Sequence, residues 1–348
     1  MTKLKEHKPS KIEALKAMTP ADRRRAIFDG IMNNAMFIII ALVIIYVAIK
    51  NPRFLSIPSL VNIISLTAAK LPIALGVGGC IILAGTDISA GRQVGLAACI
   101  SAGLQLTTNK LFPGLQIMPI PVVLLCVLVA CALVGFVNGF FMAKFKLHPF
   151  IVTLSTQLIV YGLVLLFMQL GTNGGQTLSG MSEGYRNFII KPLLTLKTSS
   201  GPVTVRRYVL YSTIITAIVW VGLNKTAFGK NMYAVGSNEE AANVSGVNVS
   251  KTIILVFVMA GMLYGITGFM DAARIASVNA TTGLNYEADA IAACVIGGIS
   301  FVGGIGKVSG AIIGVLLLQI IFAGLNFLSV DANYLYIVKG LIILIACS

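Results

Sequence analysis

The side chains that could perform chemistry are few, and none of them falls into a catalytic pattern. The histidines are His7 and His148, so the H-E-x-x-H motif of zinc proteases cannot occur, and no G-x-S-x-G sequence supplies a hydrolase nucleophile. The string Gly303-Gly-Ile-Gly-Lys307 resembles a phosphate-binding loop. It lacks the required spacing, and Val308 stands where the Mg²⁺-binding Ser or Thr belongs. We therefore expect no enzyme activity, no metal and no cofactor.

A polar interruption between two apolar runs, Gly85-Thr-Asp-Ile-Ser-Ala-Gly-Arg92, is the first informative cluster. An aspartate and an arginine this close to hydrocarbon are costly unless they pair or face a wet cavity. One interpretation is an Asp87–Arg92 pair with helix capping by Asp87 or Ser89, which needs no ligand. The other is a role at the cytoplasmic mouth of a translocation path. The candidate path residues are Asn62, Thr86, Asp87, Ser89, Arg92 and Asn138, although hydrogen bonding between helices explains the two asparagines better.

A second polar stretch, 224–251, predicts a short helix between two membrane spans. Ser237 and Glu240 have the S-x-x-E spacing of a capping box, and Gly246 suits a left-handed residue after the helix end. Isolated helices this short are marginal in water, so we expect the helix to dock on the bundle or in the groove of a partner.

A group of charged residues follows the seventh apolar run. These residues could face a docking protein or form a solvated rim, and they are Asp271, Arg274, Glu287 and Asp289.

Composition requires lipid around most of the chain. Hydrophobic residues make up 57% and charged residues 11%, against about 25% charged in soluble proteins. Runs near twenty residues can cross a hydrocarbon core of about 30 Å. We predict an all-α, polytopic bundle with about ten spans: Ile31–Ile49, Val61–Leu83, Gln93–Thr107, Pro121–Ala143, Phe150–Leu170, Tyr208–Leu223, Thr252–Ala272, Ala288–Ile299, Val308–Leu325 and Tyr334–Ala346. The third, eighth and tenth are short, which predicts broken or tilted helices.

The net charge of +14 indicates topology rather than a nucleic-acid partner, because the basic residues lie mainly between apolar runs. The basic tail 1–30 is expected in the cytoplasm, followed by one membrane domain, 31–348, whose loop 224–251 is also cytoplasmic. The loop 171–207 would lie outside although it carries five basic residues, namely Arg186, Lys191, Lys197, Arg206 and Arg207.

Glycines spaced as G-x-x-x-G occur at Gly135/Gly139, Gly261/Gly265 and Gly310/Gly314. Such pairs let two helix backbones approach closely. They fit packing inside one bundle or a seam between two copies of the chain.

Three strings resemble the sugar-permease family of ABC importers that includes ribose, xylose, arabinose and galactose permeases. Residues 85–98 resemble its G-x-D-L-S-x-G signature in the form typical of galactose/methyl-galactoside members, with Ile88 in place of the usual Leu. Residues 228–247 resemble its cytoplasmic coupling loop, with Ser237 where Gly is frequent. Residues 288–306 resemble its C-terminal core. The resemblance runs from about residue 31 to the end.

This resemblance implies a multi-pass permease of the bacterial inner membrane that carries galactose, methyl galactoside or glucose. It also implies a permease homodimer, a pair of ATP-hydrolysing subunits and an extracytoplasmic sugar-binding protein. The residues expected to couple to the ATPase are Gly229, Ser237, Asn238, Glu239, Glu240, Ala241, Ala242 and Gly246. The same architecture for ribose, another pentose or a nucleoside is the alternative. An ion-coupled secondary transporter is a further alternative, although it would favour acidic residues near mid-membrane, whereas those here lie near segment ends.

Overall fold

The computed structural model describes residues 35–331, apart from 113, 172, 199 and 200, and a few isolated residues nearer the ends (19, 22, 333, 334, 337, 340, 341 and 344). The predicted basic tail, the start of the first predicted span and most of the tenth lie outside the described residues.

Helices dominate the described part of the chain. In chain order they are α1 (Ala35–Lys50), α2 (Ile57–Ile82), α3 (Ala90–Gln105), α4 (Ile120–Phe145), α5 (Pro149–Met168), α6 (Glu183–Ile190), α7 (Arg207–Lys225), α8 (Ala227–Ser237), α9 (Glu239–Val244), α10 (Val249–Ile275), α11 (Tyr286–Ile296) and α12 (Val308–Phe327).

Six of the described helices are long and apolar enough to cross a membrane: α2, α4, α5, α7, α10 and α12. The first, third and eighth predicted spans correspond to the shorter helices α1, α3 and α11, of 16, 16 and 11 residues. The shortness expected of the third and eighth spans is therefore found, while the total of ten crossings stays a prediction.

Short strands correct the expectation of a purely helical chain. Strand β1 (Leu178–Ser179) pairs with β4 (Ser277–Val278), and β2 (Pro192–Thr198) pairs with β3 (Gly201–Arg206), both antiparallel. Three of these strands lie in the predicted outside loop 171–207. Backbone that leaves the helical bundle can pair in this way without occupying the hydrocarbon region.

Helices α4 and α10 pack closely against each other through glycines. Backbone atoms of Phe257 lie against Gly135, and backbone atoms of Ile254 lie against Gly139. In return, the carbonyl of Cys131 lies against Gly261. A side chain at any of these glycines would collide with backbone, so the G-x-x-x-G pairs serve packing inside one protomer.

We predict that Gly135→Ala destabilises the protein. Its Cβ would overlap the Phe257 carbonyl oxygen, and overpacking of this kind costs about 1–3 kcal/mol. The matched control is Gly162→Ala on α5, where a Cβ meets nothing within 4 Å. Thermal unfolding of the detergent-solubilised protein should show a lower midpoint for Gly135→Ala and no lowering for Gly162→Ala. Equal midpoints would contradict this account of the crossing.

Candidate functional site

A cluster of polar side chains is buried where α2 breaks before α3. Asp87 Oδ1 accepts hydrogen bonds from the Ser89 backbone N–H at 2.9 Å and from Ser89 Oγ at 2.5 Å. Ser89 Oγ accepts in turn from Gln93 Nε2 at 2.9 Å and Asn138 Nδ2 at 3.1 Å. All four residues are 0% exposed. The serine hydroxyl is thus a shared bonding point, and we call these four residues the Ser89 cluster.

Three elements meet at the Ser89 cluster. Asp87 and Ser89 lie in the break, Gln93 lies one turn into α3, and Asn138 projects from α4. A fourth element joins nearby, because Thr153 Oγ1 on α5 donates to the carbonyl of Thr86 at 3.2 Å. The break is therefore a fixed junction rather than a loose linker.

The structure does not contain the Asp87–Arg92 pair that the sequence suggested. Arg92 lies on the other side of α3, where its Nη1 donates to the Ala280 carbonyl at 3.2 Å and its guanidinium lies 4.1 Å from the Tyr161 ring centroid. Asp87 instead turns inward onto Ser89. Ser89 occupies the N-cap position of α3 but makes no capping bond with its side chain.

The six candidate path residues therefore separate into groups. Asp87, Ser89 and Asn138 come together but are fully buried, so in this conformation they hold helices rather than line an open channel. Thr86 is half-buried beside them, while Asn62 is exposed near the start of α2. Sequence reasoning missed Gln93, although the four-residue spacing from Ser89 places both on one helix face.

Three acceptor atoms of the Ser89 cluster have no hydrogen-bond partner among the described residues: Asp87 Oδ2, Gln93 Oε1 and Asn138 Oδ1. Buried acceptors without partners are costly, and bound water commonly satisfies them. The side chains of the Ser89 cluster could bind a structural water or a proton. Among the described residues, no group of His, Cys, Asp and Glu side chains could hold a metal ion.

The predicted short helix is α9, and its cap differs from the prediction. Asn238 is the N-cap, with Oδ1 accepting from the Ala241 N–H at 2.8 Å, whereas Ser237 is the last residue of α8. Asn238 has the extended backbone that a cap requires, with φ −161°, which Ser237 inside a helix cannot adopt. Gly246, at φ +83°, ends the turn in the left-handed region as expected.

One face of α9 docks on the bundle and the other is open. Ala242 packs with Val235 and Val249, whereas Val244 is 90% exposed. The preceding helix is held by Tyr233, whose hydroxyl donates to the Gly306 carbonyl at 2.9 Å. Burial raises the pKa of Tyr233 further above physiological pH, at which a tyrosine hydroxyl is protonated even when exposed.

A groove of about 600 Å³ lies beside α9. Its walls are the end of α2 with the first residues of the break, the turn between α4 and α5, and the junction of α8 and α9. Lys146 and His148 on one wall face a rim that carries Glu239 and Glu240, and all four are exposed. Of the remaining residues expected to couple to an ATPase, Gly229 is buried within α8, and Ala241 is exposed.

The predicted docking residues are less exposed than the solvated-rim interpretation requires. Asp271 is 1% exposed and forms an ion pair with Arg274 at 2.8 Å, and Glu287 is 8% exposed. Asp289 is half-buried. That interpretation is wrong for Asp271 and Glu287, since both carboxylates are enclosed by protein; docking at this group stays a prediction.

Long apolar helices joined through buried polar junctions are those of a multi-pass membrane protein. Residues 59–347 match the family described as the permease component of branched-chain amino acid transport systems, and the chain belongs to this family.

Curated relatives cover nearly the whole chain. It is 40% identical over 322 residues to the galactose/methyl galactoside import permease of Haemophilus influenzae, covering 92% of this chain and 94% of the relative. Identity to the Escherichia coli K12 protein of the same name is 39%, covering 93% and 95%. The ribose import permease of Bacillus subtilis is 34% identical, again covering 93% and 95%. No solved structure is significantly similar to the chain.

We predict that Ser89→Ala lowers stability, because Gln93 Nε2 and Asn138 Nδ2 would both lose their acceptor. A buried donor left without a partner costs about 1–3 kcal/mol. The matched control is Ser155→Ala on α5, an exposed serine whose hydroxyl donates only to the Ile151 carbonyl of its own helix. A thermal unfolding midpoint that falls for Ser89→Ala alone is expected, and equal midpoints would contradict the shared bonding point.

Proposed function

We propose that this chain is the membrane-spanning subunit of an ABC importer that carries galactose and methyl galactoside across the bacterial inner membrane. The observation that carries the proposal is the 40% identity, over 92% of the chain, to an import permease for these sugars. The matched length includes the polar break at Gly85–Arg92, the helix α9 and the segment around α11.

The chemistry of the bundle suits an uncharged cargo better than the amino acids in the family's description. A monosaccharide needs hydrogen-bonding groups along its path but not a pair of opposite charges, whereas a zwitterion needs a charge of each sign. The chain has only 12 acidic residues. Among those near its polar junctions, Asp87, Asp271 and Glu287 are buried, so none of these three carboxylates is open to a passing ammonium group, and Asp289 is half-buried.

Energy would come from ATP hydrolysed on a partner, since the chain has no phosphate-binding loop of the required spacing. We propose that α9 and the groove beside it receive the ATPase subunit. An apolar side chain as exposed as Val244, next to the carboxylates of Glu239 and Glu240, is typical of a surface that a partner covers. A pair of ATPase subunits, a second permease copy and an extracytoplasmic sugar-binding protein complete the assembly.

Ribose is the second candidate cargo, because ribose import permeases are 32–34% identical over more than nine tenths of the chain. Galactose and ribose differ by one carbon and in the placement of hydroxyls, so specificity depends on contacts along the path and on the binding protein.

We predict ATP-dependent accumulation of labelled galactose by proteoliposomes that contain this chain and its cognate ATPase, with binding protein on the opposite side. The double variant Glu239→Ala plus Glu240→Ala should reduce uptake about tenfold, a loss equivalent to about 1.4 kcal/mol of coupling. The matched control is Glu183→Ala in the first turn of α6, an exposed carboxylate on the predicted outer side.

Uptake of ribose but not galactose would move the proposal to the second cargo. Accumulation without any ATPase, driven by an ion gradient, would overturn it. Equal uptake by the double variant and the unmodified chain would remove α9 from the coupling surface.

A further inference from the structure

After the short strand β4, the segment that follows α10 folds back into the bundle. The carbonyl of Thr282 lies 2.5 Å from the position of a Cβ on Gly95, and the carbonyl of Gly283 lies against Gly91. Both glycines belong to the first turns of α3, so a side chain at either position would exclude the segment. Residues 279–285, which we call the re-entrant segment, therefore run along α3 to its beginning.

Contacts with two other helices place the end of this segment that adjoins α11 near the middle of the membrane. Tyr286, where α11 begins, lies over Lys70, the fourteenth residue of the 26-residue helix α2. Arg92, which adjoins Gly91, lies against Tyr161, the thirteenth residue of the 20-residue helix α5. Helix α11 is thus a half-helix that starts deep in the bundle. Non-helical backbone at this depth occurs only inside protein or along a wet cavity.

Two backbone N–H groups of the re-entrant segment are bonded by its own side chains, and two others by its own carbonyls. Asn279 Oδ1 accepts from the Thr281 N–H at 3.0 Å, and Thr282 Oγ1 accepts from the Asn279 N–H at 3.0 Å. Asn279 and Thr281 are nevertheless exposed on the surface of the protomer. Asn279 follows β4 at the outer end of the segment, whereas Thr281 adjoins Thr282, which meets Gly95 of α3. An exposed hydroxyl beside α3 is costly against lipid, so this face requires water or protein opposite it.

Arg92 gives the strongest indication that the opposite side is wet. Among the described residues its guanidinium has one acceptor, the Ala280 carbonyl at 3.2 Å, although it carries five N–H donors. The side chain is only half-buried, and stacking on Tyr161 fixes the plane of the guanidinium. The carboxylate of Glu287 lies beside Gly91 and is a nearby opposite charge, but among the described residues it accepts no hydrogen bond from Arg92. Donors left open near mid-membrane are tolerated in a water-filled pathway and not against hydrocarbon.

We propose that the re-entrant segment, Arg92 and Tyr161 form a wall of the translocation path near mid-membrane, at which Arg92 donates hydrogen bonds to the hydroxyls of the monosaccharide in transit. The inference rests on the proposed function for the identity of the cargo. Asn285 belongs to the same wall: it precedes α11 at φ +63°, is half-buried, and makes no capping hydrogen bond with its side chain. The planar fork of the guanidinium matches two neighbouring hydroxyls, which a lysine would not do.

Water access along the wall can be tested without any sugar. Thr281→Cys, made in a background that carries Cys126→Ser and Cys347→Ser, should react with a charged, membrane-impermeant methanethiosulfonate reagent added to proteoliposomes. The matched control is Leu158→Cys on α5, at a position that is 66% exposed and lies among apolar side chains. Reaction of Thr281→Cys well above the control is expected. A rate no faster than that of Leu158→Cys would mean that this face is sealed or meets lipid, and would overturn the inference.

The role of Arg92 is tested by the number of galactose molecules transported per ATP hydrolysed. Arg92→Gln should lower this ratio about tenfold, and Arg92→Lys should recover only a small part of it, because charge without the fork does not suffice. The matched control is Lys225→Gln, which removes a cation placed 5.6 Å from the Trp220 ring at the end of α7.

The two proposals fail in different ways. An unmodified chain that transports no galactose with ATP would refute the proposed function, whereas the thiol labelling would still report on the wall. An unmodified chain that transports galactose, with an unchanged ratio in Arg92→Gln, would refute the inference alone.

Discussion

Backbone polar groups inside a membrane must find partners within the protein, and this constraint decides how the helices of this chain can be interrupted. The break between α2 and α3 meets it with turn bonds, such as Gly85 N–H to the Cys80 carbonyl at 2.9 Å, and with the side chains of Asp87 and Thr153. The re-entrant segment meets it with Asn279 and Thr282. Because both breaks depend on side chains from fixed positions, they also fix the helices around them.

The helices differ in how much of their apolar stretch is buried, and the difference shows which of them lie at the centre of the protomer. Of the most apolar stretch of each helix, 72% is buried in α2 and 61% in α10, but only 22–28% in α4, α5 and α7. Helices α2 and α10 therefore form the centre of the protomer, and α4 supports them mainly through the glycines that face α10. The remaining surfaces of α4, α5 and α7 are apolar and open, which suits lipid or a second copy of the chain.

The sequence predicted well those features that depend on local chemistry. It located the polar break at Gly85–Arg92 and the short helix after residue 237, because glycine, asparagine and glutamate mark helix ends through bonds to nearby backbone. The predicted cap was Ser237 rather than Asn238, because serine and asparagine both cap helices. Which of the two caps α9 depends on where α8 ends, and α8 includes Ser237. The hairpin of β2 and β3 was missed, although Leu194-Thr-Leu-Lys-Thr198 and Val203-Thr-Val-Arg206 alternate apolar and polar residues as strands do.

Features that depend on contacts between distant residues could not be predicted. Asp87 and Arg92 are five residues apart, which made an ion pair between them a reasonable prediction. Instead, the carboxylate of Asp87 accepts a hydrogen bond from Ser89, and the guanidinium of Arg92 donates one to the Ala280 carbonyl, 188 residues away in the chain. The depth of α11 likewise depends on Gly91 and Gly95 meeting a segment nearly two hundred residues later. No periodicity within either segment carries that information.

The eight residues Gly85–Arg92 connect three regions that would otherwise be separate. Gly85 lies on the wall of the groove beside α9, Ser89 is bonded to α4, and Arg92 lies against Tyr161 and the re-entrant segment. Two of these contacts are buried or partly buried hydrogen bonds, which break less readily than exposed ones. A displacement at the groove would therefore move Arg92 together with α3 and the attached part of α4, because the Ser89 cluster resists bending between them. Rigid-body movement of packed helices, rather than rearrangement of the break itself, is the motion that this connectivity favours.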